Sequence, residues 1–413
     1  MENQKKGNVV LLAGVLFNLS IGVLYAWSVL KTKLTTSISD GGWGWSSTEA
    51  GLPYTIAIVF FAIGLLVGGR IQDKIGPRWV VTAGGALVAL GMILSGYVGN
   101  SVTGITLCFG FITGTGIGLG YGCVSPPALK WFHPSKKGLV AGLIVGGFGI
   151  APVYFAPIMN TLLSNFGIQK SLILMGIAVA AISIPIAQLI KNPPAGYTPQ
   201  IPKSLNQTAT AKPSVDVTWR KMIKTKQFYL LFIMFLLSSS VGLMIIGNMS
   251  KIANTQIGIS DTAILAILVS FLAITNTAGR VLGGLMSDKI GCVNALFVVF
   301  ALQALNMVCF VFYQSLPALI IGVILVGFSY GTLLSVFPSI TASLYGLKNY
   351  GTNYGVLYLA WGLAGVVAPM TADIIFDTNG NFHAAYLLAA AMLALIICVN
   401  ILFKKANKTA IVC

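Results

Sequence analysis

Gly69-Arg70-Ile71-Gln72-Asp73-Lys74-Ile75-Gly76-Pro77-Arg78 closes an apolar run at 47–70, and Ser287-Asp288-Lys289-Ile290-Gly291 closes another at 262–287. The same Asp-Lys-Ile-Gly turn ends the second hydrophobic run in each of two successive sets. The first set covers 9–30, 47–70, 79–98, 102–128, 138–161 and 168–190. The second covers 227–250, 262–287, 293–313, 316–341, 351–376 and 382–403. Each run is about 20 residues, enough to cross a hydrocarbon core of about 30 Å at 1.5 Å rise per residue. The pattern predicts an all-α polytopic membrane protein of twelve transmembrane helices, arranged as two pseudo-symmetric six-helix bundles. The expected division is 1–190, a polar linker at 191–226, and 227–413.

Composition agrees. The chain of 413 residues is 56% hydrophobic and 8% charged, with a mean hydropathy of +0.88. Soluble domains carry roughly a quarter charged residues. The net charge of +16 lies in short breaks between apolar runs, not in a basic, aromatic-interleaved surface, so nucleic acid is not an expected partner. With the N-terminus inside, 20 of the 25 Lys and Arg residues fall on the cytoplasmic side. Lys31, Lys33, Lys170 and Lys251 fall outside, and Arg280 lies within a span. This bias predicts a multi-pass protein of the cytoplasmic membrane with both termini cytoplasmic.

The start, Met1 to Gly14, has lysines before an apolar run. That run continues to about Leu30 without a small-residue cleavage site, so it reads as a retained first helix. The linker carries Pro193, Pro194, Pro199, Pro202 and Pro213, and its basic end, Trp219 to Lys226, suits a membrane surface. Six cysteines form no CxxC pair and read as small apolar residues. His133 and His383 are far apart, so no metal cluster is expected. No nucleophile–base set and no GxxxxGK[ST] appears, which argues against an enzyme and against an ATP-driven pump. No cofactor and no oligomer is implied.

Arg280 is eight residues before Asp288, about 12 Å along the helix from its end. A cation so near mid-bilayer costs about 2.5–3.5 kcal/mol on insertion scales, so it should face a wet cavity. None of the nine acids sits clearly at that depth, which invites an anionic ligand. The guanidinium fork suits a carboxylate, and Asn276, one turn earlier on the same face, can bond the ligand too. The corresponding residue of the first repeat, eight before Asp73, is Leu65, so Arg280 breaks the symmetry. The alternative reading is that Arg280 bonds backbone carbonyls inside the bundle. Glycine ladders at 110, 114, 118, 122 and at 138, 142, 146 permit close helix approach.

The turn at 69–78 resembles the loop signature of the major facilitator superfamily, G-x-x-x-D-[RK]-x-G-[RK]-[RK]. Asp73, Lys74, Arg78 and Asp288 are its expected gating residues, with Asp meeting a helix N-terminus or an Arg. Within that superfamily the chain resembles the monocarboxylate transporter and oxalate–formate antiporter relatives. The carrying residues are Gly22 to Trp27, Gly116 to Gly122, Trp131 to Gly142, Asn276 to Arg280, and Asn353-Tyr354-Gly355. The resemblance implies pore-facing Tyr25, Tyr121, Tyr330 and Trp361, and proton coupling. The sequence departs from the family in several places. Asp40 to Trp45 follows the first span instead of preceding it. Val29 stands where many members have lysine. Asn276 replaces an acid linked to proton coupling. Trp361 aligns with a lysine of the oxalate exchanger, and Leu24 with a glutamine. One cation and a bulky aromatic suit a short monocarboxylate such as lactate or pyruvate, moved by alternating access with a proton. Oxalate/formate-type anion exchange is the alternative, and a non-transporting membrane sensor a more distant one.

Overall fold

The computed structural model describes residues 2–199, 216–259 and 261–407. The middle of the linker and the last six residues, with Lys408 and Cys413, lie outside them. All regular structure among the described residues is helical. The spans are Lys5–Thr35, Ser47–Ile75, Pro77–Tyr97 and Val102–Trp131, then Pro134–Ala187, which holds the fifth and sixth. They continue with Lys226–Ile257, Thr262–Ile290, Cys292–Phe310, Leu316–Tyr345, Tyr350–Asn379 and His383–Ala406, the seventh to twelfth. Pro134–Ala187, at 54 residues, is too long for one crossing. Gly167, at φ 71° and ψ 177°, breaks it as a residue with a Cβ could not easily do. The fifth span is therefore Lys137–Gly149 continued over 151–166, and the sixth is 168–187. That gives the expected twelve crossings.

Local chemistry sets the helix ends. The second span starts with a capping box: Ser46 Oγ accepts from Glu49 N at 3.2 Å, and Glu49 Oε2 accepts from Ser46 N at 2.8 Å. It stops at Gly76, φ 88°, whose N–H donates to Gln72 O at 2.9 Å. The eighth span stops identically at Gly291, φ 85°, bonded to Ser287 O at 2.9 Å. The sequence repeat is thus a repeat of backbone geometry: a positive-φ glycine ends one span, and the next begins at once with Pro77 or Cys292.

The chain groups into two compact units. One contains Met1–Phe132, Ile150–Gln200 and Asn349–Gly362; the other contains His133–Gly149, Ile201–Lys348 and Leu363–Cys413. In the first unit the second and third spans both pack on the fourth, and the third also packs on the sixth. In the second unit the eighth span lies between the tenth and the short helix Lys137–Gly149, while the twelfth covers the seventh and ninth. Outward residues are large and apolar, among them Leu305, Phe312, Ile374 and Leu402, as lipid-facing surfaces require.

Glycine governs these crossings. A Cβ on Gly331 of the tenth span would collide with the Asn276 carbonyl of the eighth, whereas one on Gly146 would meet nothing nearer than Val281 Cγ2 at 3.5 Å. Gly331→Ala is therefore expected to destabilise the protein by roughly 1–3 kcal/mol. Gly146→Ala should be neutral or stabilising by up to about 1 kcal/mol through helix propensity. Thermal unfolding in detergent checks the contrast; equal effects would remove this account of the eighth–tenth contact.

Candidate functional site

The eighth span grips the short helix Lys137–Gly149 at both ends with opposite charges. At its N-terminus, Asp288 accepts from the backbone N–H of Gly138 at 2.7 Å and Leu139 at 2.8 Å. These are two of the donors a helix leaves orphaned in its first turn, and the carboxylate also meets the positive end of the helix dipole. Towards the other end, Arg280 Nη1 donates to the Val145 carbonyl, near the negative end of the same dipole. The eight residues between Asp288 and Arg280 span about 12 Å, which matches the two contacts on an antiparallel neighbour. The helices touch because Gly138 and Gly284 carry no side chains: a Cβ on either would strike the other's carbonyl.

Arg280 is 1% exposed. Its Nε donates to Asn276 Oδ1 at 2.8 Å, so Asn276, itself buried, aims the guanidinium. Gly149 leaves it room, since a Cβ there would lie 2.9 Å from Arg280 Nε. An Asn in this place supplies the acceptor geometry of an Asp without its charge. The sequence reading put Arg280 in a wet cavity; the structure encloses it, bonded to a backbone carbonyl and an amide oxygen. Tyr330, also buried, lies one residue before Gly331, whose position is against Asn276 O and Arg280 N. The second unit therefore brings Arg280, Asn276 and the Tyr330 segment together. His133, just ahead of the short helix, has its pKa held below the usual imidazole value, by burial first and then by Lys136 and Lys137.

The first unit repeats the N-terminal half of this grip. Asp73 accepts from Gly351 N at 3.2 Å, Thr352 N at 2.9 Å and Thr352 Oγ1 at 2.8 Å. It thereby caps the eleventh span as Asp288 caps the short helix. Gly118 of the fourth span lies against Phe61 O and Leu65 N of the second, as Gly331 of the tenth lies against Asn276 O and Arg280 N of the eighth. Phe61 thus holds the place of Asn276, and Leu65 that of Arg280. Around Phe61 the polar pair gives way to aromatics: Tyr121 at 5.3 Å, Trp361 at 5.2 Å and Tyr358 at 5.7 Å between ring centroids. Tyr354 meets Tyr358 edge-on and stacks with Tyr350, which extends the group along the eleventh span.

Tyr121 and Trp361 are therefore brought together through a residue that the sequence reading missed. Phe61 carries no signal in the sequence, but Tyr350, Tyr354 and Tyr358 form an i, i+4, i+8 run of tyrosines that does. The pattern Gly118-x-x-Tyr121-Gly122, repeated as Gly327-x-x-Tyr330-Gly331, was a second repeat signal. Tyr25 falls in a tight-turned stretch, Gly22–Ala26, and its side chain lies outside the described part of the structure. Arg78 is not joined to an acid by any described contact: its Nε donates to Gln188 Oε1 at 2.7 Å, tying the third span to the end of the sixth. Lys74 is exposed at the end of the second span.

Asp288→Ala is expected to lower stability by about 1.5–3 kcal/mol, the range for hydrogen bonds to a charged group, with Asp288→Asn recovering part of the loss. Unfolding midpoints identical to the parent would show that the grip carries no stability.

A family model described as the Major Facilitator Superfamily matches residues 10–369. The oxalate:formate antiporter of Oxalobacter formigenes is 28% identical, over 92% of this chain and 87% of its own. An uncharacterized MFS-type transporter of Escherichia coli (strain K12), YhjX, is 28% identical over 87% of this chain and 85% of its own. Monocarboxylate transporter 13 of Rattus norvegicus is 26% identical over 93% and 86%. Among solved structures, the fucose:proton symporter FucP of E. coli superposes with a TM-score of 0.71 over 96% of this chain and 98% of its own, at 15% identity, which speaks to the fold alone. Twelve crossings, two Asp-capped helix starts at equivalent places in the repeat, and a family match over most of the length agree: the chain belongs to the major facilitator superfamily of membrane transporters.

Proposed function

We propose that this protein is a secondary active transporter for short monocarboxylates, L-lactate or pyruvate in type, working by alternating access with a co-transported proton. On this reading 1–190 and 227–413 are the two six-helix bundles, 191–226 is the cytoplasmic linker, and both termini are cytoplasmic in the cell membrane. The carrying observation is Arg280: a fixed cation in the middle of a span, aimed by a neutral Asn276. Two relatives named for carboxylate transport, the oxalate:formate antiporter and monocarboxylate transporter 13, support the same class.

The chemistry follows from the donors present. A guanidinium offers five N–H groups in a plane and binds a carboxylate bidentately. A carboxylate is a stronger acceptor for a cation than a neutral carbonyl, so an arriving anion displaces the Val145 carbonyl from Arg280. That releases the C-terminal grip on the short helix while Asp288 keeps its N-terminal one. Occupancy and helix freedom are then linked, which alternating access needs. Tyr330, one residue before the Gly331 crossing, is proposed as a further donor on the resemblance. Tyr121 and Trp361, which cluster with Phe61 in the first unit, are proposed as substrate-lining residues on the resemblance. Leu65 in the place of Arg280, and Trp361 in the place the resemblance gives to a lysine, favour one negative charge over two. Tyr25 is proposed in the same lining on the resemblance alone. Asp73 and Asp288, with Lys74 and Arg78 nearby, serve the cytoplasmic gate.

The second reading is anion exchange, favoured by the 28% identity to the oxalate:formate antiporter. Purified protein in liposomes separates the two. Under symport a pH gradient, inside alkaline, accumulates lactate with no internal anion; under exchange, uptake requires a loaded counter-anion. Arg280→Ala should raise the lactate Kd by at least about 100-fold, on the order of 3 kcal/mol, and Arg280→Lys should fall between. Wild-type affinity in folded Arg280→Ala would sink the anchor assignment. Asn276→Asp is expected to weaken binding about tenfold at neutral pH, because its carboxylate occupies the guanidinium. Affinity should return as the pH falls and that carboxyl protonates, a sign that calorimetry across pH would read directly.

A further inference from the structure

We infer that the second unit contains a buried water-binding site, where the seventh, ninth and tenth spans meet beside Tyr330. A small cavity there is lined by Ser238, Gly242, Phe300, Gln303, Ser329 and Tyr330, among others, with room for about one water molecule. Its polar side chains are well over nine-tenths buried: Ser238 and Gln303 are 4% exposed and Ser329 is 3%. Gln303 Nε2 and Ser329 Oγ make no hydrogen bond to the described residues.

The rest of the Gln303 amide is committed elsewhere. Its Oε1 accepts from Asn306 Nδ2 at 3.4 Å, and the same Nδ2 donates to Gly322 O at 3.0 Å. Asn306 Oδ1 accepts from the Tyr313 hydroxyl at 3.1 Å. This string turns the donor end of Gln303 to the cavity. Ser238 Oγ donates to Met234 O at 2.6 Å, so its lone pairs remain as an acceptor. The site thus offers an amide donor, a hydroxyl of either sense and a hydroxyl acceptor. A ligand must both accept and donate, and it must be very small. Water meets both demands; a carboxylate is too large and finds no cation among the lining residues, and a lipid tail would strand the polar atoms. A buried donor or acceptor left without a partner costs about 1–3 kcal/mol, and buried waters with two to four bonds are the usual remedy.

The gap has a cause in the sequence. Gly242 lets the Tyr330 ring press on the seventh span's backbone, for a Cβ would clash with Cδ2. Ser238, one turn earlier, is too short to fill the space next to Ser329. Val299, Val326 and Leu393 line the remaining wall. The water joins three spans at the residue before the Gly331 crossing, and so fixes the polar surroundings of Tyr330 whatever anion is carried.

X-ray hydroxyl-radical footprinting of the purified full chain in water labelled with oxygen-18 tests this. Radicals born from a bound water mark its immediate neighbours even where bulk solvent has no access. Phe300 and Tyr330, at 1% and 4% exposure, should label several-fold faster than Phe235 and Phe337, both 0% exposed and outside the lining. Ser329→Ala and Gln303→Leu should each slow the labelling of Phe300, and Ser329→Ala should lower the melting midpoint. Phe300 labelling no faster than Phe235, or an Ser329→Ala midpoint equal to or above the parent's, would mean a dry cavity and overturn the proposal.

Discussion

The opposed charges of Asp288 and Arg280, eight residues apart on one span, are the interaction on which the candidate site depends. Between them they hold the 13 residues of Lys137–Gly149. A helix dipole needs an anion at one end and a cation at the other, and here both come from a single rigid neighbour. The glycines at 138, 142 and 284 bring the two backbones close enough for that. A cation that costs several kcal/mol to bury alone is here hydrogen-bonded to a carbonyl and an amide oxygen, near the negative end of a helix dipole. On the proposed function, an anion offered to the guanidinium competes with the Val145 carbonyl.

The first unit shows what the scaffold requires without that charge. Asp73 performs the capping role of Asp288, the positive-φ glycines coincide, and the glycine crossings recur. The polar pair differs, with Phe61 and Leu65 in place of Asn276 and Arg280. The aromatics gathered on Phe61 make this part of the first unit apolar where the second unit is polar.

Much of the fold was legible in the sequence because a membrane demands long apolar helices and rewards tight turns between them. The Asp73-Lys74-Ile75-Gly76 repeat placed the two halves in register, and Arg280 stood out as a cation where lipid admits none. Less could be read of the site. The Val145 carbonyl is a backbone group, invisible to any search for counter-charges. Asn276 reads in the sequence as able to bond a ligand; in the structure its oxygen accepts from Arg280, a role that depends on rotamer and burial. Phe61 looked like any apolar residue until the fourth and eleventh spans brought Tyr121, Tyr358 and Trp361 around it. Arg78 carried the family's loop pattern, yet its bond goes to Gln188, a partner set by how the third and sixth spans cross.

The most direct measurement is a crystal structure of the protein with a bromine-tagged short carboxylate such as 3-bromopropionate, located by anomalous scattering. The account requires the bromine beside the second unit's eighth span, the carboxylate on the Arg280 guanidinium, and the Val145 carbonyl no longer bonded to it. A bromine elsewhere, with Arg280 still held by Asn276 and Val145, would contradict it.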